Sequence, residues 1–148
     1  DEVGVQVGFH AHNNLGVGVS NAISAIENHA TIIDGSSMGL GAGAGNAPLE
    51  SIIVNYRRME RDAPALDKFL DMSHLVEIRY PEFLPRTTSS SIQSGDAGVF
   101  SGFAPQVRQL SAEFGVSQED LWQELGKRRL VAGQESMIRE IAQDLMNL

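Results

Sequence analysis

The first third of the chain alternates short apolar strands with helices, and this order constrains the fold more than any other feature of the sequence. A first strand is predicted from apolar residues with a period of two: Val3, Val5, Val7 and Phe9. A helix up to about Glu27, a second strand at 31–34 and a helix that opens near Pro48 follow. This order is typical of parallel strands joined by crossover helices, the unit of α/β folds.

The remainder of the chain is predicted to be mostly helical. Apolar residues at helical spacing predict a helix that ends before Pro81, a helix that Gly115 stops, a helix capped by Ser117 that ends at Gly126, and a final helix near 137–146. Residues 85–98 are rich in Ser, Thr and Gly and are predicted to form a loop. Apolar stripes of this kind usually mark helix packing and not a cofactor site.

Composition excludes several classes of partner. The net charge of -8 argues against nucleic acid, which needs clustered Lys and Arg, and it disfavours anionic membrane surfaces. No apolar run reaches the length of a membrane span. The absence of cysteine excludes disulfides and thiolate metal sites, and it fits a cytoplasmic location. The chain begins with Asp1 directly ahead of a strand, so we expect a fragment that lacks an N-terminal segment.

Two histidines close the first predicted strand. Because side chains alternate along a strand, His10 and His12 project to the same side and could hold a divalent metal if a further ligand arrives from elsewhere. The alternative is a hydrogen-bonded histidine pair at a domain surface. Asn13 and Asn14 follow the pair and could orient the histidines or meet solvent.

A glycine-rich loop lies between the second strand and the next helix. The segment 39–44 satisfies the pattern G-x-G-x-x-A, and Asp62 lies at about the distance expected for a ribose contact, so a dinucleotide site is one interpretation. Against it, the glycines alternate strictly, and Asp62 follows a charged helix end. A second interpretation is a turn that lets a helix pack close to a strand. In an α/β barrel the loop would lie at the C-terminal face, where its backbone N–H groups could approach a carboxylate or an enolate.

Several motifs together resemble one enzyme family. The runs F-H-A-H-N-N and D-G-S-S-M-G-L-G-A-G-A-G-N-A-P-L-E resemble metal-dependent aldolase and lyase barrels of the hydroxymethylglutaryl-CoA lyase type. Segments 97–101 and 126–135 resemble the communication domain of the 4-hydroxy-2-oxovalerate aldolases in that superfamily. The implied fold class is α/β: the C-terminal part of a TIM (β/α)8 barrel followed by a small all-helical communication domain. Residues 1–63 would form the last strands and helices of the barrel, 64–79 a connecting helix and 80–148 the communication domain.

The resemblance implies cleavage of a 4-hydroxy-2-oxo acid to pyruvate and an aldehyde. His10 and His12 would be ligands of a divalent ion, usually Mn²⁺ in this family, which would bind the 2-oxo acid and stabilise the pyruvate enolate as a Lewis acid. The family's carboxylate ligand, catalytic arginine and catalytic histidine come from the first barrel strand, which this chain lacks, so we do not expect the chain alone to turn over substrate. His29 and His74 are expected to be ordinary surface or helix-end histidines.

One departure from the family concerns catalysis. Phe100 stands where the family commonly has a tyrosine proposed as an acid–base group, and Ser101-Gly102-Phe103 replaces the residues that follow. Since phenylalanine cannot transfer a proton, water or another residue would do so, or the chemistry has diverged. The alternative functions are therefore a non-catalytic interaction module and a divergent lyase of the same superfamily.

The resemblance also implies a protein partner. The communication domain of the family docks on an acylating acetaldehyde dehydrogenase, which receives the aldehyde. Lys127, Arg128 and Arg129 could supply charges to that interface. The alternative is that they form a solvated helix cap that suits the helix dipole.

Overall fold

The computed structural model describes residues 4–148, which divide into two compact units that meet between Arg86 and Thr87. The first unit contains strands β1 (Gly8–His10) and β2 (Ile32–Asp34) and helices α1 (Gly18–Glu27), α2 (Leu49–Arg58) and α3 (Leu66–Arg79). The second unit contains helices α4 (Ser89–Asp96), α5 (Ala104–Phe114), α6 (Gln118–Lys127) and α7 (Ser136–Met146). The domain limits predicted at residues 63 and 80 stay predictions.

The first unit is built on a β-α-β element. Strands β1 and β2 pair in parallel, with Phe9 opposite Ile33 and His10 opposite Asp34, and α1 connects them. A small apolar core lies under this element and consists of Ala11, Ala22, Ala47 and Ile52, with Phe9, Val19 and Ile33 packed against it. The predicted α/β class and the order of strands and helices are confirmed for this part of the chain. That this unit is the C-terminal part of a (β/α)8 barrel stays a prediction, because the described residues contain two strands.

Strand β1 is shorter than predicted. It begins at Gly8, while Val5 and Val7 are 59% and 48% exposed and Val3 lies outside the described residues. The backbone carbonyl of Val7 nevertheless accepts hydrogen bonds from the amides of Thr31 (2.9 Å) and Ile32 (3.3 Å). The period-two pattern therefore located the strand but overestimated its length.

The prediction of a loop over residues 85–98 is wrong, since Ser89–Asp96 form helix α4. Thr88 and Ser91 cap this helix reciprocally: the Ser91 amide donates to Thr88 Oγ1 (3.2 Å), and the Thr88 amide donates to Ser91 Oγ (2.8 Å). The fully buried Ser94 donates its hydroxyl to the Ser91 carbonyl (2.9 Å). Serine hydroxyls that are satisfied by the helix backbone can occupy buried positions, so a composition typical of a loop forms a packed helix here.

The second unit encloses its own apolar core, as the helical spacing predicts. The residues buried in this core are Val99, Phe103, Val107, Leu110, Leu121, Trp122, Leu125, Leu130, Ile138, Ile141 and Ala142. Gly115 ends α5 in a left-handed conformation (φ 68°), and Ser117 accepts the Asp120 amide (3.0 Å) at the start of α6. Both helix-end predictions are thereby confirmed. Within the described residues, no helix combines the length and the apolar character that crossing a membrane requires.

Three helices end at a left-handed residue that is not glycine. His29, Glu60 and Arg129 follow α1, α2 and α6 with φ values of 73°, 58° and 54°. After α6, the amides of Arg129 and Leu130 donate to carbonyls in the last turn of the helix (2.9 and 3.2 Å). Glycine is the usual residue at this position, because a Cβ atom destabilises the left-handed conformation.

Candidate functional site

The two predicted metal-ligating histidines lie side by side at the end of β1. The ring centroids of His10 and His12 are 5.0 Å apart, and the rings are nearly perpendicular at 82°. Both side chains are exposed. Nδ1 of His10 lies 4.0 Å from Oδ2 of Asp34, the residue opposite it on β2. The end of this short sheet therefore gathers two imidazoles and one carboxylate.

Asn46 adds an oxygen to this end of the sheet. The Asn13 amide donates to the Gly45 carbonyl (2.8 Å), and the Ala47 amide donates to the Ala11 carbonyl (2.9 Å). These two bonds flank an antiparallel bridge between His12 and Asn46, which are thus directly opposed in a non-hydrogen-bonded pair. The side chains of such a pair lie close together on one face.

The side-chain oxygen of Asn46 is an unused acceptor. Oδ1 is buried and has no hydrogen-bond partner in the described chain, while Nδ2 donates to the Leu40 carbonyl (3.0 Å). Buried acceptors in folded proteins nearly always have a partner, so this atom is a candidate for binding a ligand. Asn46 is not among the site residues predicted from the sequence, although it lies in the glycine-rich motif.

The donor set fits a divalent cation. Two imidazole nitrogens and an amide oxygen suit Mn²⁺ as well as Zn²⁺ or Co²⁺. Among residues 4–148, the structure brings together no group of three His, Cys, Asp or Glu side chains that could hold a metal. A further carboxylate ligand would therefore come from another segment, as the resemblance implies.

Asn13 has a structural task. Its Oδ1 accepts a hydrogen bond from the Gly18 amide (3.0 Å) and so holds the first turn of α1. Oδ1 of Asn14 is buried and has no partner in the described chain. No hydrogen bond between Asn13 or Asn14 and a histidine ring is present in the part of the chain that the structure describes, so their orienting role stays a prediction.

Close contacts within the glycine loop explain why residues 41 and 45 are glycine. A Cβ atom at Gly41 would lie 2.7 Å from Nδ2 of Asn46, so the loop covers that amide only because residue 41 has no side chain. Gly45 has φ +82°, and a Cβ atom there would lie 2.1 Å from the Gly39 carbonyl oxygen. These close approaches show that the loop packs over the Asn46 side chain.

Phe100 lies in the second unit, where it packs on a neighbouring ring. Its centroid is 5.5 Å from that of Phe103 in an edge-on arrangement, and the residue is 37% exposed. The ring also occupies the space beside Gly102, where a Cβ atom would lie 2.2 Å from the Phe100 ring. The Phe100 ring therefore keeps this position only because residue 102 has no side chain.

The three candidate interface residues differ in their partners. Arg128 binds Glu124 (3.0 Å) and Asp144 (2.8 Å), so it links α6 to α7 within the unit. These hydrogen bonds, the one to Asp144 first, raise the pKa of Arg128. Lys127 pairs with Glu124 (3.2 Å), while Arg129 is exposed and has no ion pair among the described residues.

The other two histidines lie outside this cluster. His29 is exposed after the end of α1, and Nδ1 of His74 lies 3.9 Å from Oε2 of Glu77 on the exposed side of α3. Neither is grouped with metal-ligating side chains in the described residues. The expectation that both are surface or helix-end histidines is consistent with these positions.

Comparison with known proteins agrees with the resemblance. Residues 1–80 match the HMGL-like family, and residues 85–147 match the DmpG-like communication domain. A curated 4-hydroxy-2-oxovalerate aldolase of Spirochaeta aurantia is 46% identical over 98% of this chain and 43% of its own length. The protein named 4-hydroxy-2-oxovalerate aldolase 2 from Salinispora arenicola is 44% identical over 98% of this chain and 42% of its own length.

A solved structure shares the fold. A Bacteroides vulgatus chain described as the N-terminal domain of an aldolase superposes with a TM-score of 0.62 at 23% identity, over 75% of this chain and 36% of that one. The present chain spans about two fifths of the length of the curated relatives it matches. On the match of residues 1–80, the chain belongs to the HMGL-like family.

Proposed function

We propose that this chain is the C-terminal part of a divalent-metal-dependent aldolase that cleaves 4-hydroxy-2-oxovalerate, or a related 4-hydroxy-2-oxo acid, to pyruvate and an aldehyde. The observation that carries the proposal is the position of three residues at one end of the sheet: the rings of His10 and His12 are adjacent, Asn46 is paired with His12 through the backbone, and Oδ1 of Asn46 has no hydrogen-bond partner in the described chain. Its support is the name that the relatives share, 4-hydroxy-2-oxovalerate aldolase.

The residues of this chain would hold and orient the cation. His10, His12 and Asn46 are the ligands, and the cation is Mn²⁺. Because Nδ1 of His10 lies on the side of Asp34, 4.0 Å from Oδ2, we assign Nε2 as the nitrogen that would bind the cation. When bound, the cation supplies Lewis-acid stabilisation of the negative charge that remains on the pyruvate fragment as the carbon–carbon bond breaks.

Proton transfer is left to groups other than Phe100. Cleavage leaves the bonding electron pair on the pyruvate fragment, and the 4-hydroxyl group must lose its proton to become the aldehyde. Phe100 has no group that could accept that proton. The acceptor is therefore water or a residue from another segment of the protein.

The second unit would dock an acylating acetaldehyde dehydrogenase, which consumes the aldehyde. This part of the proposal is supported by the match to the communication domain over residues 85–147. Arg129, without an ion pair in the described chain, and Lys127, whose side chain is 72% exposed, are the charges placed to reach a partner. Arg128 serves the unit itself through Glu124 and Asp144.

The test is pyruvate release by the full-length protein that contains this chain. The enzyme is chelated and assayed with 4-hydroxy-2-oxovalerate, with and without added Mn²⁺. We expect Mn²⁺ to restore activity in the unmodified protein but not in His10→Ala or His12→Ala. His74→Ala removes an exposed histidine outside the cluster and should behave as the unmodified protein does.

The proposal fails if folded protein that binds metal releases no pyruvate with any divalent cation. The alternative, a non-catalytic interaction module, then gains support if the same preparation binds the dehydrogenase. Metal-restored cleavage of a different acid would instead indicate a divergent lyase.

A further inference from the structure

Glu50, in the first turn of α2, is a buried carboxylate that the proposed chemistry does not use. It is 8% exposed and accepts hydrogen bonds from three donors in two segments of the chain. Ser37 Oγ donates to it (2.8 Å), the Met38 amide donates to it (3.1 Å), and Ser73 Oγ on α3 donates to it (2.5 Å). Within the described residues Glu50 forms no ion pair, so hydroxyl and amide donors alone surround its charge.

These donors keep Glu50 ionised. Burial by itself would raise its pKa, but hydrogen bonds from Ser73, from its own backbone, and from Ser37 and Met38 outweigh burial, and the pKa lies below the ordinary value. The positive end of the α2 dipole acts in the same direction. A buried charge is tolerated when it is fully hydrogen-bonded, so its donors are held firmly in place.

Two of these donors, Ser37 and Met38, belong to the turn that begins the glycine loop. Met38 has a left-handed backbone (φ 51°) inside the turn Ser37–Gly39, and Glu50 binds its amide. From this turn, the Gly39 carbonyl accepts the Asn46 amide (2.9 Å), and the Leu40 carbonyl accepts Nδ2 of Asn46 (3.0 Å). A continuous set of hydrogen bonds therefore runs from Glu50 through the turn to the backbone amide and the side-chain amide of Asn46.

We propose that Glu50 is a positioning residue for the metal site: it fixes the turn Ser37–Gly39, and the turn holds Asn46, the residue paired with His12, in place. Ser73 extends the same network to α3. The inference rests on the proposed metal site, and it assigns a role to a residue that does not itself touch the cation.

A purely structural role for Glu50 would lower stability without changing the affinity of the folded protein for metal. The experiment therefore titrates the full-length protein that contains this chain with Mn²⁺, follows free Mn²⁺ by electron paramagnetic resonance, and uses conditions in which circular dichroism shows each variant folded. Glu50→Gln keeps the shape and removes the charge, and Glu27→Gln, an exposed carboxylate of the same unit, is the matched control.

We expect Glu50→Gln to weaken Mn²⁺ binding by about 10-fold or more, the range typical for partners that orient metal ligands. Glu27→Gln should bind as the unmodified chain does. Ser37→Ala removes one donor and keeps the charge, so it should give a smaller loss in the same direction. If Glu50→Gln fails to fold, the positioning role is tested with Ser37→Ala alone. Unchanged Mn²⁺ affinity in that variant overturns the positioning role.

A second measurement separates this inference from the metal proposal. Hydrogen exchange of the Asn46 amide, which is bonded to the Gly39 carbonyl, should speed up in Glu50→Gln relative to amides in α1. Loss of Mn²⁺ binding in His10→Ala together with unchanged binding and exchange in Glu50→Gln overturns the positioning role alone. Absence of Mn²⁺ binding in the unmodified full-length protein overturns the positioning role and the metal site together.

Discussion

Substitution of Gly45 by alanine should disrupt the glycine loop from within. Gly45 has φ +82°, and its added Cβ atom would lie 2.1 Å from the Gly39 carbonyl oxygen and 2.7 Å from Cβ of Pro85. The Gly39 carbonyl cannot move away freely, since it accepts the Asn46 amide at 2.9 Å. Relief of the clash therefore requires that this hydrogen bond break or that the loop change its path.

The cost can be built from three contributions. A left-handed conformation costs a residue with a Cβ atom about 1–2 kcal/mol, and overpacking of a tight contact costs about 1–3 kcal/mol. Loss of the Asn46 hydrogen bond adds about 0.5–1.5 kcal/mol. The total, about 2.5–6.5 kcal/mol, is comparable with the whole stability of many domains, so the loop should rearrange locally before the unit unfolds.

Urea denaturation measures the loss of stability in the Gly45→Ala variant, and Mn²⁺ titration of the full-length protein measures its loss of metal affinity. Gly16→Ala is the matched control, because Gly16 also has positive φ (+75°) but has open space around its Cβ position. It should lose about 1–2 kcal/mol and keep its metal affinity. Gly45→Ala should lose more stability than the control and bind Mn²⁺ at least 10-fold more weakly. Equal stability of the two variants together with unchanged Mn²⁺ affinity would refute the reasoning.

Three further predictions concern other contacts. Gly126→Ala should lower the free energy of unfolding by about 1–3 kcal/mol in spite of the helix preference for alanine, because its Cβ atom would lie 2.4 Å from the Ala97 carbonyl oxygen; a gain in a thermal melt would contradict this. The pKa of Glu50 is lowered in the fold. The Glu50 carboxylate should therefore stabilise the fold fully at pH values above its ordinary pKa of 4.5, and this stabilisation should decline as the pH falls through the lowered pKa. Denaturation of Glu50→Gln and the unmodified chain across pH tests this, and a difference that grew on acidification would disprove it. A double-mutant cycle between Phe100→Ala and Gly102→Ala should give a coupling of about 1 kcal/mol, since a Cβ atom at residue 102 displaces the ring; additive effects would rule out the contact.

The sequence predicted what short-range periodicity controls. Alternation along β1 placed His10 and His12 on one side, and their rings do lie together. Helical spacing predicted α5, α6 and α7, and Gly115 and Ser117 marked helix ends correctly. These features depend on residues within a few positions of one another, which is the range that sequence patterns describe.

The features that the sequence did not predict depend on contacts between distant residues. Asn46 joins the candidate site through an antiparallel bridge to His12, which no local pattern reveals. Glu50 meets Ser73 only because α3 packs near the turn that follows β2. Helix α4 was missed for a different reason: its core-facing residues are serines, so the apolar signal that identifies a buried helix face is absent.

The fold could be stabilised at the three helix ends where a residue other than glycine adopts the left-handed conformation. Glycine in place of Arg129, at φ 54°, would relieve about 1 kcal/mol of backbone strain and would remove an exposed charge at the same time. The two effects have opposite signs if Arg129 contacts a partner, because the isolated chain becomes more stable while the complex becomes weaker. Arginine at residue 129 thus destabilises the free protein. Glycine in place of His29 or Glu60 should relieve the same kind of backbone strain, and neither residue belongs to the proposed partner interface.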